Sequence, residues 1–509
     1  MVKTIDILDS LVDNLQISDD TYKKAQDRYT NLGNWLNRDN STIKIYSPEI
    51  YSQGSIRLGT AIKPIDPDDD YDIDAVCVLS KYAYKSSYTQ KKIKELVGKE
   101  VKSYVNANNF NKEAQEAKRC WTIEYADSEQ FHMDILPSIP DEYGLIAMFE
   151  SYGVKDYNKD YTKHAISITD NTHHNYAHIN QDWPNSNPMG YYHWFKERCI
   201  TNEKKSLDIR LYEGVEEIPN NQDSSPLQYV VMLLKRHRDI MYKDSSESEY
   251  KPISIIITTL AAQAYQGEDN LQDALVSVIS NMDVYNQDGI YHIPNPVNPL
   301  ENFADKWQNE RKLIDNFFKW FYKLKRDFES ILNGDVYNSK ATFKSMFGEQ
   351  IINESYDLNG IEDQNISDLN NVLISMPHVQ KPKWQKYIEG NITISCKVIS
   401  NGFLTKTISS NSPLYKNSKL IFTTKVSKKL RKRKIEYHWQ VANSGTEATS
   451  ANQLRGDFYT GEIEKGGKVR TETTSYTGIH FVKSFAVENG VIIAESTPFL
   501  VNIIDRSLT

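Results

Sequence analysis

Residues 53–60 read Gln53-Gly54-Ser55-Ile56-Arg57-Leu58-Gly59-Thr60, and a loop later comes Tyr71-Asp72-Ile73-Asp74-Ala75-Val76. A Gly-Ser turn ahead of an apolar strand with acids at i and i+2 constrains the fold more than any other stretch. Side chains of a strand alternate between faces, so Asp72 and Asp74 share one. Two carboxylates crowded together repel unless a cation sits between them. Magnesium, a hard oxygen-seeking partner of phosphates, suits that place. The Gly-Ser turn offers backbone N–H groups and a hydroxyl to phosphate oxygens. Together these features imply a site that holds a nucleoside triphosphate with metal and transfers its nucleotidyl group.

The 509 residues imply two or three domains, and the 39% hydrophobic and 25% charged content is ordinary for a soluble globular chain. A net charge of −8 argues against a dedicated duplex-binding protein. No apolar run is long enough to span a bilayer, and the first residues carry acids where a signal peptide needs an apolar core. Cys77, Cys120, Cys199 and Cys396 lie far apart with no C-x-x-C pair, which disfavours structural zinc and disulfides. A cytoplasmic location is expected.

Apolar spacing predicts a helix through Ile5–Leu15, and Ser18 caps a second that buries Tyr29, Leu32 and Leu36. Strands are expected at Asp72–Leu79, Arg119–Tyr125 and Phe131–Leu136, the last ended by Pro137 and Pro140. Residues 150–205 show no clear period and read as loops and short elements. Ser225-Pro226-Leu227-Gln228 is a capping box with proline at the first helical position. The run from Ile253 has strand propensity, but its continuation through Ala261, Ala262 and Ala264 favours a buried helix. One long amphipathic helix is expected over Leu300–Leu332. Residues 334–377 are polar and Asn-rich, a candidate connection. Beyond His378, alternation at 391–399, 435–441, 471–474 and 490–494, with turns at Asn401-Gly402, Gly466-Gly467 and Asn489-Gly490, predicts a β-rich domain.

In-line nucleotidyl transfer needs an oriented hydroxyl and a neutralised pyrophosphate, which two metal ions about 3.5–4 Å apart supply. Two carboxylates are too few to hold both ions. Asp134, in His132-Met133-Asp134-Ile135-Leu136-Pro137, is the third candidate. Asp72 and Asp74 are assigned to bridging the metals and coordinating triphosphate. Asp134 is assigned to the metal facing the attacking hydroxyl, or to accepting its proton. His132 reads as a residue that supports the metal ligands or packs, not as a ligand itself, His237 as a helix-packing residue, and Asp66–Asp70 as an acidic surface loop.

These strings, with Leu233-Leu234-Lys235-Arg236-His237-Arg238-Asp239, Pro252-Ile253-Ser254 and Asn295-Pro296-Val297-Asn298-Pro299, resemble the cGAS/DncV-like nucleotidyltransferases (CD-NTases) of the SMODS type, in the polymerase-β superfamily. The resemblance covers about residues 1–332. It implies an α+β fold: a polymerase-β-like nucleotidyltransferase sheet lobe plus an oligoadenylate-synthetase-like helical lobe, followed by a β-rich C-terminal domain. Domain limits are drawn at 1–205, 206–333, 334–377 and 378–509. The family pattern suggests nucleotide binding by Gln53, Gly54, Ser55 and Arg57 from the turn and by Lys235 and Ser254 from the helical lobe, with two Mg2+ or Mn2+ ions per site. A surface ion pair is the rival reading for Arg57, a pair with Asp239 for Lys235, and a helix cap for Ser254.

Trp439–Gly445, Leu454–Tyr459 and Tyr476–His480 resemble the adenylyl/guanylyl cyclase and SMODS C-terminal sensor (AGS-C) domain, over about residues 378–509. This implies a ligand of the C-terminal domain, for which Trp439 and Tyr476 are stacking candidates and Arg455 an anion reader. The rival is a packed β-sandwich with Trp439 in its core and Arg455 paired to Asp457. Lys428–Lys434 is a dense basic run, either a phosphate contact or a solvated hairpin.

The expected activity is synthesis of a cyclic oligonucleotide second messenger in anti-phage defence, read by a separate effector protein. The alternatives are a linear ribo- or deoxyribo-oligonucleotide product, a tRNA- or protein-modifying nucleotidyltransferase toxin, and an inactive nucleotide-sensing scaffold. Neither a membrane nor a stable nucleic-acid duplex is an expected partner.

Overall fold

Alternating burial makes Tyr71–Leu79 a strand with two different faces. In the computed structural model, which describes residues 3–66, 69–125, 131–200, 224–287, 289–334, 336, 339–359, 364–399 and 406–504, it lies inside a seven-stranded mixed sheet. The strands are β1 (Pro48–Gln53), β2 (Tyr71–Leu79), β3 (Gln115–Glu116), β4 (Trp121–Tyr125), β5 (Phe131–Pro140), β6 (Ile166–Ile168) and β7 (Asn185–Ser186). Their order is β1-β2-β5-β4-β3, with β6 also on β5 and β7 on β6. β2 and β5 run parallel, while β1 and β4 flank them antiparallel.

One face of the β2–β5 pair presents Ile73, Ala75, Cys77, Met133 and Ile135 to the main core, against the helices Asp19–Asn37 and Gln90–Ala107. The other carries Val76, Val78 and Leu136, which pack with Ile166 and Ile168. The period of two puts Asp72, Asp74 and Asp134 on this second face. Gly98 lets the helix Gln90–Ala107 lie directly on β4: a Cβ there would be 2.2 Å from the Trp121 ring. The Trp121 indole N–H donates to Lys94 O at 2.9 Å, locking the contact.

Contacts divide the chain into two compact units, Leu15–Ser330, and Met1–Asn14 with Ile331–Thr509. In the first, the sheet is joined by the helices Pro188–Arg198, Pro226–Tyr242, Ser254–Ala264 and Leu271–Asn281 and by most of Arg311–Asn333. Ser18 and Ser225 cap as their sequences predict, Ser225 within a full capping box. Ile253–Leu260 lies on a helix, not a strand. Two departures are informative. Residues 150–205 contain the helix Pro188–Arg198, capped by Asn187. Its sequence lacks a clear apolar stripe, because aromatic residues occupy several sides. The helix expected from Leu300 begins only at Arg311, after two short hairpins, β8 (Tyr285–Gln287) with β9 (Ile290–His292) and β10 (Pro294–Asn295) with β11 (Asn298–Asn302).

The second unit holds two sheets, one of seven strands and one of four. The seven-stranded sheet contains β12 (Gln385–Lys386), β15 (Pro413–Tyr415), β17 (Glu436–Ala442), β18 (Arg455–Thr460), β20 (Gly478–Glu488), β21 (Val491–Glu495) and β22 (Phe499–Ile504). The four-stranded one contains β13 (Ile392–Ile399), β14 (Lys406–Ile408), β16 (Lys419–Val426) and β19 (Val469–Thr473). Asn489-Gly490, both at positive φ, joins β20 to β21 as its sequence predicts. The Asn401-Gly402 turn and the boundary drawn at 205 lie outside the described residues. The supposed connection 334–377 contains three helices, Lys340–Phe347, Glu349–Leu358 and Gln364–Ile374, which bury Phe343, Met346, Phe347 and Tyr356.

The first residues also belong with this unit, whereas the sequence reading grouped them with the sheet. Lys425 donates to Asn14 Oδ1 at 2.6 Å and to Asp13 O at 2.9 Å, and Arg431 pairs with Asp13 at 3.1 Å. Arg433, in the same basic run, pairs with Glu389 and Glu488. Both arginines of the run are therefore held in ion pairs within the unit. Among the described residues no helix is long and apolar enough to cross a membrane.

Gly98→Val is expected to overpack the joint between helix and β4. The expected loss is about 1–3 kcal/mol of stability in urea unfolding.

Candidate active site

Register brings the acids together. Asp74 lies opposite Asp134 across the parallel β2–β5 pair, and Asp72 lies opposite His132. On the other side of β2, Asp74 faces Gln53, the last residue of β1. The chain then turns at Gly54 with φ 66°, where a Cβ would stand 2.3 Å from Asp74 Oδ2. Only glycine serves there, on both conformational and steric grounds. Asp134 Oδ1 accepts a hydrogen bond from Thr122 Oγ1 at 2.5 Å, the residue opposite it on β4. His132 Nε2 contacts Asp70 Oδ2 at 2.6 Å, so it holds the acidic loop against the strand.

Burial, then the neighbouring charges of Asp134 and Asp72, pushes the Asp74 carboxyl up to about 7. Asp72 is also raised, chiefly by burial, with Asp134 and Asp70 adding to the effect and His132 opposing it. Like charges withdrawn from water behave this way when no cation is among them. An oxygen-only donor set beside a backbone cradle that admits no Cβ fits a hard divalent cation. Another group is drawn tighter: His173, His174 and Asp182 have ligand atoms within 4.8 Å of one another. There the Asn175 backbone N–H donates to His173 Nδ1 at 3.3 Å, which leaves the ring proton on Nε2, facing Asp182. That cluster is a hydrogen-bonded surface turn.

Asp72 and Asp74 open onto a cleft of about 740 Å3, whereas Asp134, level with Asp74 on the next strand, does not line it. Gly54, Ser55, Asp72 and Asp74 line it from the sheet, and Lys235, Arg236, Arg238 and Ser254 from the helices. Lys235 is buried and donates to Thr60 O at 2.9 Å. Burial, aided by Arg238, pulls its ammonium down to about 8. Asp239 pairs instead with Arg238 and Lys251. Ser254 is the first residue of its helix, not its cap, and its Oγ accepts from Arg238 Nη1 at 2.9 Å.

Two expected phosphate contacts fall elsewhere. Arg57 is buried on the far side of its short turn, with its guanidinium 4.1 Å from the Tyr192 ring centroid and Nη2 3.3 Å from Met189 Sδ. It does not line the cleft. Gln53 sits at the end of β1 and does not line the cleft. Conversely, Arg236 and Arg238 are buried cations on the cleft that sequence reasoning passed over. The signal was the string Lys235-Arg236-His237-Arg238 inside a buried helix. His237 packs inward on Asp327 at 3.1 Å, as expected.

In the C-terminal unit, Trp439 is fully buried and donates to Gly467 O at 2.9 Å, so it cannot stack on a ligand. Arg455 pairs with Glu472, not Asp457.

Residues 48–137, which contain the Gly-Ser turn and all three acids, match the model of the cyclic GMP-AMP synthase DncV-like nucleotidyltransferase domain. Residues 375–504 match the adenylyl/guanylyl and SMODS C-terminal sensor domain. A c-di-GMP synthase of Roseivirga ehrenbergii is 27% identical over 349 residues, covering 67% of this chain and 84% of that protein. The cyclic dinucleotide synthase CdnG of Bradyrhizobium diazoefficiens is 22% identical over 373 residues, covering 69% and 81%. The solved structure of the CD-NTase CdnG of that organism in complex with GTP is 18% identical, covers 70% of this chain and 99% of its own, and superposes with a TM-score of 0.48.

The raised Asp74 has a stability consequence. From its ordinary value up to about 7 the folded state binds a proton that the unfolded chain has released. Stability without divalent metal therefore falls as pH rises through that window. At pH 8 in chelator, Asp74→Asn is expected to be more stable than the parent by on the order of 2 kcal/mol, with the difference vanishing near pH 4. Urea unfolding at both pH values reads this, and added Mg2+ is expected to stabilise the parent but not the variant.

Proposed function

We propose that this chain, a DncV-like nucleotidyltransferase with a C-terminal adenylyl/guanylyl and SMODS sensor domain, makes a cyclic oligonucleotide second messenger from nucleoside triphosphates in anti-phage defence. The observation that carries the reading is the pair Asp72 and Asp74 on a cleft whose other wall is cationic, with Asp134 in register with Asp74 on the neighbouring strand. The curated relatives, both described as synthases of cyclic dinucleotides, support the same product class.

Gly54 and Ser55 hold the triphosphate beside β2, and Lys235 meets it from the helical wall as a compact point charge. Asp72 and Asp74 hold two divalent cations, Mg2+ or Mn2+, together with Asp134. When bound, these supply charge neutralisation on the pyrophosphate and a lowered pKa at the attacking hydroxyl. Asp134 would hold the metal that faces the 2′ or 3′ hydroxyl of the acceptor nucleotide, or accept that hydroxyl's proton. The hydroxyl oxygen bonds to the α-phosphorus as the bond to pyrophosphate breaks. A second transfer within the linear intermediate closes the ring. Arg236 and Arg238 shape the helical wall: Arg236 donates to Lys63 O at 2.9 Å and Arg238 to Pro252 O at 3.0 Å. A separate effector protein reads the product.

The test is incubation with all eight ribo- and deoxyribonucleoside triphosphates and Mg2+ or Mn2+, with products identified by mass spectrometry. A cyclic product supports the reading. A linear one moves it to the neighbouring class, and label entering a macromolecule instead overturns it. Asp72→Ala with Asp74→Ala is expected to cost about 10^3-fold or more in product formation, and Lys235→Ala about 10–100-fold. Arg57→Ala is expected to act through stability, with residual activity tracking the folded fraction.

A further inference from the structure

The two sheets of the C-terminal unit leave a cavity of about 180 Å3. Its floor is core: Leu420, Phe422, Val441, Val482, Val501 and Ile503 line it and are buried. Its rim is polar and includes Asn443, Gln453, Arg455, Glu472 and Tyr476.

The carboxylate of Glu472 is held between Arg455, which lines the cavity with it, and Arg470, which stands behind the lining. Arg455 donates to Glu472 Oε2 at 2.7 Å and to Oε1 at 3.1 Å, and Arg470 donates to Oε1 at 2.7 Å. Both guanidinium carbons lie over the Tyr459 ring, 4.6 and 4.7 Å from its centroid. The trio carries one positive charge in excess, on side chains only 15–22% exposed. The bonds to Glu472 and one to the Tyr459 hydroxyl use three of the five N–H groups of Arg455. One N–H remains on each terminal nitrogen. The arginine is also held in an unusual backbone state, with φ 61°. Gly456 follows at φ 113°, where a Cβ would stand 2.2 Å from His378 O. A non-glycine residue kept in the left-handed region by close packing marks a position the fold over-determines. His480 adds no charge: Nδ1 accepts from the Ser444 N–H, and Nε2 donates to Tyr476 O.

We propose that this cavity binds a small organic anion, with a ring-sized apolar body between the sheets and one carboxylate or phosphate against Arg455. Its volume modestly exceeds the roughly 150 Å3 of an apolar cavity known to take up benzene. It accepts a single ring system, and a whole nucleoside triphosphate does not fit within it. The surplus charge at the mouth, largely withdrawn from water, is where an anion gains most. The sensor-domain match names neither site nor ligand, and the inference concerns equilibrium binding, so it stands or falls apart from the nucleotidyl-transfer reading.

The test is isothermal titration of the full-length chain with benzoate, indole-3-carboxylate and phenyl phosphate, each beside its neutral counterpart, benzamide, indole-3-carboxamide and phenol. At least one anion is expected to bind, at least tenfold tighter than its neutral counterpart. The carboxylate and phosphate arms distinguish the two head groups. Arg455→Gln is expected to weaken binding at least tenfold. Glu472→Gln, which enlarges the positive excess, is expected to bind at least as tightly as the parent, an outcome that mere loss of packing would not produce. The inference is overturned if no anion binds with a dissociation constant below about 1 mM. It also fails if anion and neutral counterpart bind alike, or if both variants weaken binding equally.

Discussion

Repulsion among carboxylates on one face of two parallel strands is the constraint around which the first unit is built. The pleat gives Asp72 and Asp74 a common face, and parallel register adds Asp134 beside Asp74. Ionised acids crowded on one face and partly withdrawn from water are unfavourable by themselves. The fold tolerates them because the opposite faces of β2 and β5 are anchored in a large apolar core. The Thr122 hydroxyl and the Gly54 cradle then fix the orientation of Asp134 and Asp74. The strain rests on a rigid sheet, a foundation suited to holding cations at defined positions.

The facing wall answers this negative charge with cations that are themselves partly desolvated. Lys235, Arg236 and Arg238 project from one buried helix, and their donors are turned onto carbonyls of Thr60, Lys63, Pro64 and Pro252. The bonds to Thr60, Lys63 and Pro64 tie the helical wall to the segment that follows the Gly-Ser turn. Burial pulls Lys235 down to about 8, so its ammonium stays mostly charged at neutral pH while giving up much of its hydration.

The C-terminal unit follows another logic. Its chemistry-bearing residues are arranged around a gap in packing, and Trp439, the aromatic that stands out in the sequence, is spent on filling the core. The rim instead carries Arg455 and Glu472, backed by Tyr459 and Arg470, from β18 and β19 on different sheets.

Local pattern was enough to reveal the Gly-Ser turn, the paired acids on β2, the Ser18 cap, the Ser225 capping box and the β-rich tail, because each depends on periodicity or capping within a few residues. The candidacy of Asp134 was visible too, since its strand has a clear alternation. Tertiary structure alone decided that Asp134 stands level with Asp74, because register between strands some sixty residues apart is set by packing on both faces. It also decided that Arg57 turns away onto Tyr192, that Arg236 and Arg238 face the cleft, and that Arg455 takes Glu472 in place of Asp457. A charged side chain announces its chemistry in the sequence, but its partner is chosen by whichever distant groups the folded backbone brings within a few ångströms.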